Sequence, residues 1–179
     1  VMQLDGYCRE HFVQLVPNLN SFGHFERWLK HPEYAHLSEC PNGVATSRGR
    51  TYPRGSTLRP DKRSLALLAG LYDEFLPNFS GTLFNVGCDE TRELGQGWSK
   101  SKCEKAGTTR VYLDFVKKIH REVKKRDRTM MFWGDIILHD PALIRELPKD
   151  IVALEWGYEY DHDFRRHGSY FARSGVPFY

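Results

Sequence analysis

Asp89 and Glu90 stand side by side at the end of the apolar run Leu83-Phe84-Asn85-Val86-Gly87-Cys88. Neighbouring carboxylates repel each other, and paired acids are the usual equipment of general acid–base catalysis. On a regular strand successive side chains point to opposite faces, so these two can serve one substrate only if the pleat breaks. Gly87 just before the pair, and the loop opening at Gly95 and Gly97, supply such a break. The alternative is an ordinary strand end, whose acids face water and cap the next helix.

The elements that would carry the pair alternate. Residues 1–11 read as the end of a helix, and 12–17 as a strand running into Asn18-Leu19-Asn20-Ser21-Phe22-Gly23-His24. Residues 37–60, rich in Pro, Gly, Ser and Asn, read as an excursion loop of functional length. Asp61 is placed to cap a helix over 63–76, which Pro77 stops. The Leu83 strand comes next, and then a helix from Thr108 or Thr109 with Tyr112, Phe115, Val116, Ile119 and Val123 on one face. The opposite, solvated face would carry a basic cluster from Lys117 to Arg128. Strands at 130–133, 151–156 and 176–179 are separated by a short helix over 141–147 and another over 164–173.

Strands apolar on both faces, alternating with helices, predict parallel βα units. Five consecutive strands of this kind suit an α/β fold that is part of a (β/α)8 TIM barrel, roughly five of eight units. A complete doubly wound open sheet is the competing architecture. Each strand ends in polar or aromatic residues: Asn18 and Asn20, Asp89 and Glu90, Trp133 and Asp135, Trp156 and Glu159, Tyr179. Barrel enzymes build their sites at such ends, so the recurrence predicts one pocket.

With 179 residues, 40% hydrophobic and 27% charged, the chain suits a single globular unit with a real core. Its net charge of +3 and scattered basic residues predict no nucleic-acid partner. Cys8, Cys40, Cys88 and Cys103 show neither C-x-x-C nor zinc-like spacing, so no metal or cofactor is expected from them. No segment approaches the ~20 apolar residues of a membrane span. The chain begins at Val1 and ends within an apolar run, which reads as a single incomplete domain, residues 1–179, truncated at both ends. Compartment stays open.

Two carboxylates with several tryptophans suit a sugar site, because pyranose rings offer C–H faces to aromatic planes and hydroxyls to polar groups. The two-acid glycosidase mechanism needs carboxyls about 5–5.5 Å apart when retaining, or ~6.5–9.5 Å apart when inverting, on opposite sides of the bond. Adjacent residues rarely straddle a sugar. The adjacency makes better sense if a 2-acetamido group of the substrate attacks its own anomeric carbon. One acid then protonates the leaving oxygen while the other, ionised, orients the acetamido N–H.

Asn85-Val86-Gly87-Cys88-Asp89-Glu90, with Phe132-Trp133-Gly134-Asp135 and Leu154-Glu155-Trp156 on the next two strands, resembles family 20 of the glycoside hydrolases, the β-N-acetylhexosaminidases. The stretch from Leu15 to His24 is similar to that family's strand ending in Pro-Gly-His, and Glu93-Leu94-Gly95-Gln96-Gly97 points to a divergent bacterial-type branch. Cys88 stands where many members carry a glycine.

The resemblance implies roles residue by residue. Glu90 is the general acid and later the base, and Asp89 holds the acetamido group. Trp133 and Trp156 wall the methyl pocket, and the Tyr179 hydroxyl donates to the acetamido oxygen. His24 supports the acids, Asn20 belongs to the substrate site, Asp135 bonds sugar hydroxyls or caps the next segment, and Asn85 backs the pair from within the strand. The implied partner is a carbohydrate with a terminal N-acetylhexosamine. A sugar-clamping arginine and a last-strand tryptophan with an acid, both expected of the family, are not found in this sequence.

Two other readings remain. In a metal-dependent, enolase-like barrel, Asp89 or Glu90, Asp135 and Glu155 would ligate magnesium at successive strand ends. Against it, no lysine or histidine base stands at a matching strand end, and Glu155 and Trp156 alternate and so should face opposite ways. A non-catalytic carbohydrate-binding barrel would be marked by the loss of an acid, and both are present.

Overall fold

The computed structural model describes residues 1–45, 49 and 51–179. Helix α1, Met2–Glu10, leads into an extended segment whose backbone joins the edge of β3, Leu83–Asn85. Asn85 N donates to Pro17 O at 2.9 Å, Leu19 N to Asn85 O at 3.0 Å, and Ser21 N to Val86 O at 2.9 Å. β3 pairs in parallel with β4, Thr129–Trp133, and β4 with β5, Val152–Leu154. On the far side Phe178 bridges Ala153, also in parallel. The five extended segments are therefore neighbours in chain order, without the reversal of strand order that a doubly wound sheet requires.

The first and last of these segments, expected as strands, make single bridges. Pro17, which has no N–H, interrupts the first. β3 stops at Asn85 because Gly87 and Cys88 leave the extended region, with φ of 65° and 70°.

Between the sheet elements lie α2, Glu26–Leu29; α3, Lys62–Phe75; α4, Lys100–Ala106; α5, Thr108–Lys124; and α6, Phe164–Arg173. Asp61 caps α3 as its position predicts, its Oδ1 accepting from Arg63 N at 2.9 Å and Ser64 N at 3.0 Å. The apolar face of α5 is buried from Val111 to Val123 against β4 and α3. The basic residues that follow it do more than meet solvent. Arg126 reaches Asp73, Glu122 and the Ala69 carbonyl, and Arg128 holds the Leu76 and Phe79 carbonyls. The short helix expected after Pro141 is a 3-10 helix, Pro141–Glu146.

The expected excursion over 37–60 holds more order than its composition predicts, although residues 46–48 and 50 lie outside the described set. β1, Val44–Ala45, and β2, Thr51–Tyr52, form a small antiparallel ladder. Two buried carboxylates then tie the excursion to the loop after the acid pair. Glu39 Oε1 accepts from Ser99 Oγ at 2.7 Å and Ser99 N at 3.0 Å, and from Gly95 N and Gly97 N at 3.2 Å each. Glu93 accepts from Ser56 Oγ at 2.8 Å and from Ser56 N. Such hydrogen bonds satisfy a buried carboxylate while it positions backbone.

Candidate active site

The acids emerge from a left-handed turn. Gly87, Cys88 and Glu90 all have positive φ, at 65°, 70° and 47°. Successive residues in that region break the alternation of a strand, and the side chains of Asp89 and Glu90 face one cavity of about 350 Å³. The turn is held from several sides. Asn85 Oδ1 accepts from Gly87 N at 2.9 Å, Trp133 N donates to Gly87 O at 2.9 Å, and the buried Tyr112 hydroxyl donates to Cys88 O at 3.0 Å. Gly87 is required twice over, because a Cβ there would also lie 2.4 Å from Asn20 Oδ1.

His24 closes the arrangement across the cavity, its Nε2 3.0 Å from Asp89 Oδ2 and 3.6 Å from Glu90 Oε2. The hydrogen bond to Asp89, with the charges of Asp89, Glu90 and Glu26, raises the His24 pKa above the usual imidazole value despite its burial. A cation there offsets the repulsion between the two acids. The preceding residue comes so close that a Cβ on Gly23 would fall 2.1 Å from Asp89 O.

Glu90 has different partners. Its backbone N–H donates to Asp135 Oδ2 at 3.1 Å, and its carboxylate accepts from the Arg92 guanidinium. Burial, with the nearby Asp89 charge, pushes the Asp135 carboxyl up to about 6, while the backbone N–H groups around it pull the other way. Asp135 thus props the Glu90 backbone and lines a second cavity, of about 640 Å³, rather than the one between the acids.

Trp133 and Trp156 line the first cavity with the acids and His24, and Tyr158 completes its wall. Trp156 Nε1 is buried with no hydrogen-bond partner among the described residues, leaving an N–H donor for an occupant. Besides Asp135, two expected site residues stand outside this cavity. Asn20 packs its side chain over Gly87 behind the acids, where the close approach of the first segment to β3 puts it. Tyr179 exchanges backbone hydrogen bonds with Ala153 and Glu155, and its side chain is exposed.

Glu155 and Trp156 both line the second cavity, contrary to the expected alternation, because β5 ends at Leu154 and the chain beyond is irregular. Among the described residues the strand-end carboxylates Glu90, Asp135 and Glu155 share the second cavity but do not come within metal-ligand spacing of one another as a set. Asp135 is bound to a backbone N–H, and Glu155 turns to His162 and His167. Arg92, Tyr158, His162 and His167 were missed in the sequence. They lie on irregular loops or at a helix start, where neither period nor strand-end position marks them.

The catalytic-domain model of glycosyl hydrolase family 20 matches residues 1–175. This chain belongs to glycosyl hydrolase family 20. Human Hexosaminidase D is 28% identical over 187 residues, an alignment covering 92% of this chain and 34% of the relative. A solved β-N-acetylhexosaminidase from Bacteroides fragilis superimposes with a TM-score of 0.72 at 21% identity, over 99% of this chain and 34% of its own. A Vibrio harveyi family 20 exo-β-N-acetylglucosaminidase, solved with N-acetylglucosamine, gives 0.73 at 15% identity, over 99% and 27%. The chain therefore spans about a third of these relatives. At such identities the solved structures establish the fold, and the parallel array is part of a (β/α)8 barrel as expected. Among the described residues no helix is long and apolar enough to cross a membrane.

Proposed function

We propose that residues 1–179 are part of one catalytic domain that removes terminal, non-reducing β-linked N-acetylhexosamine with retention, the 2-acetamido group acting as nucleophile. The observation that carries this reading is the left-handed turn that delivers adjacent acids to one cavity with two indoles. Two acids on the same stretch of backbone suit adjacent atoms of one sugar, its C1 leaving oxygen and its C2 nitrogen.

Glu90 donates a proton to the glycosidic oxygen as the acetamido carbonyl oxygen attacks C1 and the C1–O bond breaks. Asp89, held by His24, accepts the acetamido N–H and offsets the positive charge that spreads over the oxazolinium ring. Glu90, now ionised, takes a proton from water as that water adds to C1, which reopens the ring with the original configuration. Trp133 and Trp156 enclose the acetamido methyl, and the unpartnered Trp156 N–H suits a sugar oxygen.

Tyr179 lies on the strand segment neighbouring Glu155 and Trp156, so its hydroxyl can reach the acetamido oxygen if the exposed ring turns inward. Asn20 acts from behind Gly87 and Asp135 through the Glu90 backbone, both as positioning residues. Neither a metal nor a cofactor takes part in these chemical steps.

The experiment compares matched aryl substrates with the full-length protein. An aryl N-acetyl-β-glucosaminide or galactosaminide should be hydrolysed and the matched aryl β-glucoside should be nearly inert. Equal turnover of the two would overturn the reading.

A further inference from the structure

Glu155, His162 and His167 converge outside the acid pair, in the wall of the larger cavity. Glu155 comes directly after β5, His162 lies on the connection, and His167 sits in the first turns of α6. Glu155 Oε1 lies 2.8 Å from His162 Nε2 and 2.7 Å from His167 Nδ1, and the ligand atoms of the three residues all fall within 4.8 Å of one another. The Glu155 side chain is only 7% exposed, and its second oxygen, Oε2, is buried without a hydrogen-bond partner among the described residues. A carboxylate at that depth, with one oxygen unpartnered and the other beside two imidazole nitrogens, is arranged so that a dication could satisfy all three side chains together.

We propose that these three residues bind a divalent transition metal of the zinc class. Two imidazoles and one carboxylate are the donor set such ions take, whereas magnesium and calcium prefer oxygen alone. Tetrahedral binding at about 2.0–2.2 Å from each donor asks each imidazole nitrogen to part from Glu155 Oε1 by about 0.5–0.9 Å from its hydrogen-bonded spacing. Each imidazole then binds through the nitrogen now facing Glu155 and carries its proton on the other, Nδ1 of His162 and Nε2 of His167. The fourth position opens to the cavity shared with Asp135, His139 and Glu159.

The surroundings are shaped for these rings. A Cβ on Gly157 would lie 2.4 Å from His162 Cγ, so that residue leaves room for the imidazole. His162 packs on Phe164 with ring centroids 4.4 Å apart, and Asp163 Oδ1 caps the turn that carries His167 by accepting from Arg166 N at 3.1 Å. Trp156 and Tyr158, which wall the smaller cavity, lie between the first and second ligands in the chain. The ion would clip this segment and so hold that wall.

The test is spectroscopic and independent of any hydrolysis. Full-length protein is stripped with a chelator and titrated with Co2+. One equivalent should produce the visible bands of tetrahedral cobalt, and Zn2+ should bleach them. His162→Ala and His167→Ala should each weaken Co2+ binding by about tenfold or more, the double variant should lose the bands, and His139→Ala should leave them unchanged. The absence of saturable one-equivalent binding to folded wild-type protein would overturn the proposal whatever the variants do. So would a double variant that binds Co2+ as tightly as wild type.

Discussion

Asp89 and Glu90 differ in what holds them, and that difference assigns their work. Asp89 answers to His24, whereas Glu90 is fixed through its backbone by Asp135 and its carboxylate meets Arg92. Glu90→Gln should therefore lower kcat by about 10²–10⁴ for poor leaving groups and far less for acidic phenols, while Asp89→Asn should slow every leaving group alike. A steady-state series of aryl substrates separates the two, and identical leaving-group slopes would refute the division. His24, at φ 56°, can be replaced by Asn, which tolerates that backbone. Its raised pKa means that its charge, and the stability this lends the acid pair, is fully present below the ordinary imidazole value near 6.5 and lost as pH rises through the raised one. The wild-type profile of kcat/KM should fall on that alkaline side, where Glu90 also loses the proton it must donate, and His24→Asn should shift the position of that limb. Asp135 works in the same sense. With its carboxyl at about 6 against an ordinary 3.8, the folded state holds the proton more tightly, so its contribution is complete below 3.8 and lost as pH rises through 6. Denaturation from pH 4 to 7 should show wild type losing stability relative to Asp135→Asn; a constant difference would contradict the shift.

The turn at 86–90 is the element on which the site depends. Its break was legible, since Gly87 precedes two acids that a pleat would separate. The left-handed Cys88 was not, because a non-glycine residue at φ 70° is set by surroundings rather than by local preference. Cys88→Gly should keep the enzyme active and shift stability by no more than about 1 kcal/mol, the relief of strain offsetting the lost buried side chain. Gly87→Ala meets both the positive φ and Asn20, and should cost about 1–3 kcal/mol with a severe loss of activity. Urea denaturation with kinetics on each variant checks the pair. The clamps through Glu39 and Glu93 were beyond sequence reading because their serine partners lie 60 and 37 residues away. Within the excursion they join, composition predicts only a loop.

At the scale of the molecule, alternation was the legible signal, and helices capped by Asp61 or marked by the α5 stripe fell where their patterns put them. The outer segments were harder to judge, since 12–17 and 176–179 are strand-like in composition but meet a partner on one side. Val13 and Val16 near one edge, and Phe178 and Tyr179 at the other, are exposed apolar side chains beside incompletely paired backbone. Produced alone, the 179-residue chain should aggregate or fail to hydrolyse substrate; turnover matching the full-length protein would contradict this. The central claim is that the substrate attacks its own C1 inside the cavity shared by Asp89, Glu90, Trp133 and Trp156. Inhibition of the full-length protein by a thiazoline analogue of the cyclised sugar tests it most directly. Competitive inhibition far tighter than that by the free N-acetylhexosamine, and weakened in Asp89→Asn, is the predicted result. No inhibition at concentrations where the free sugar already competes would contradict the mechanism.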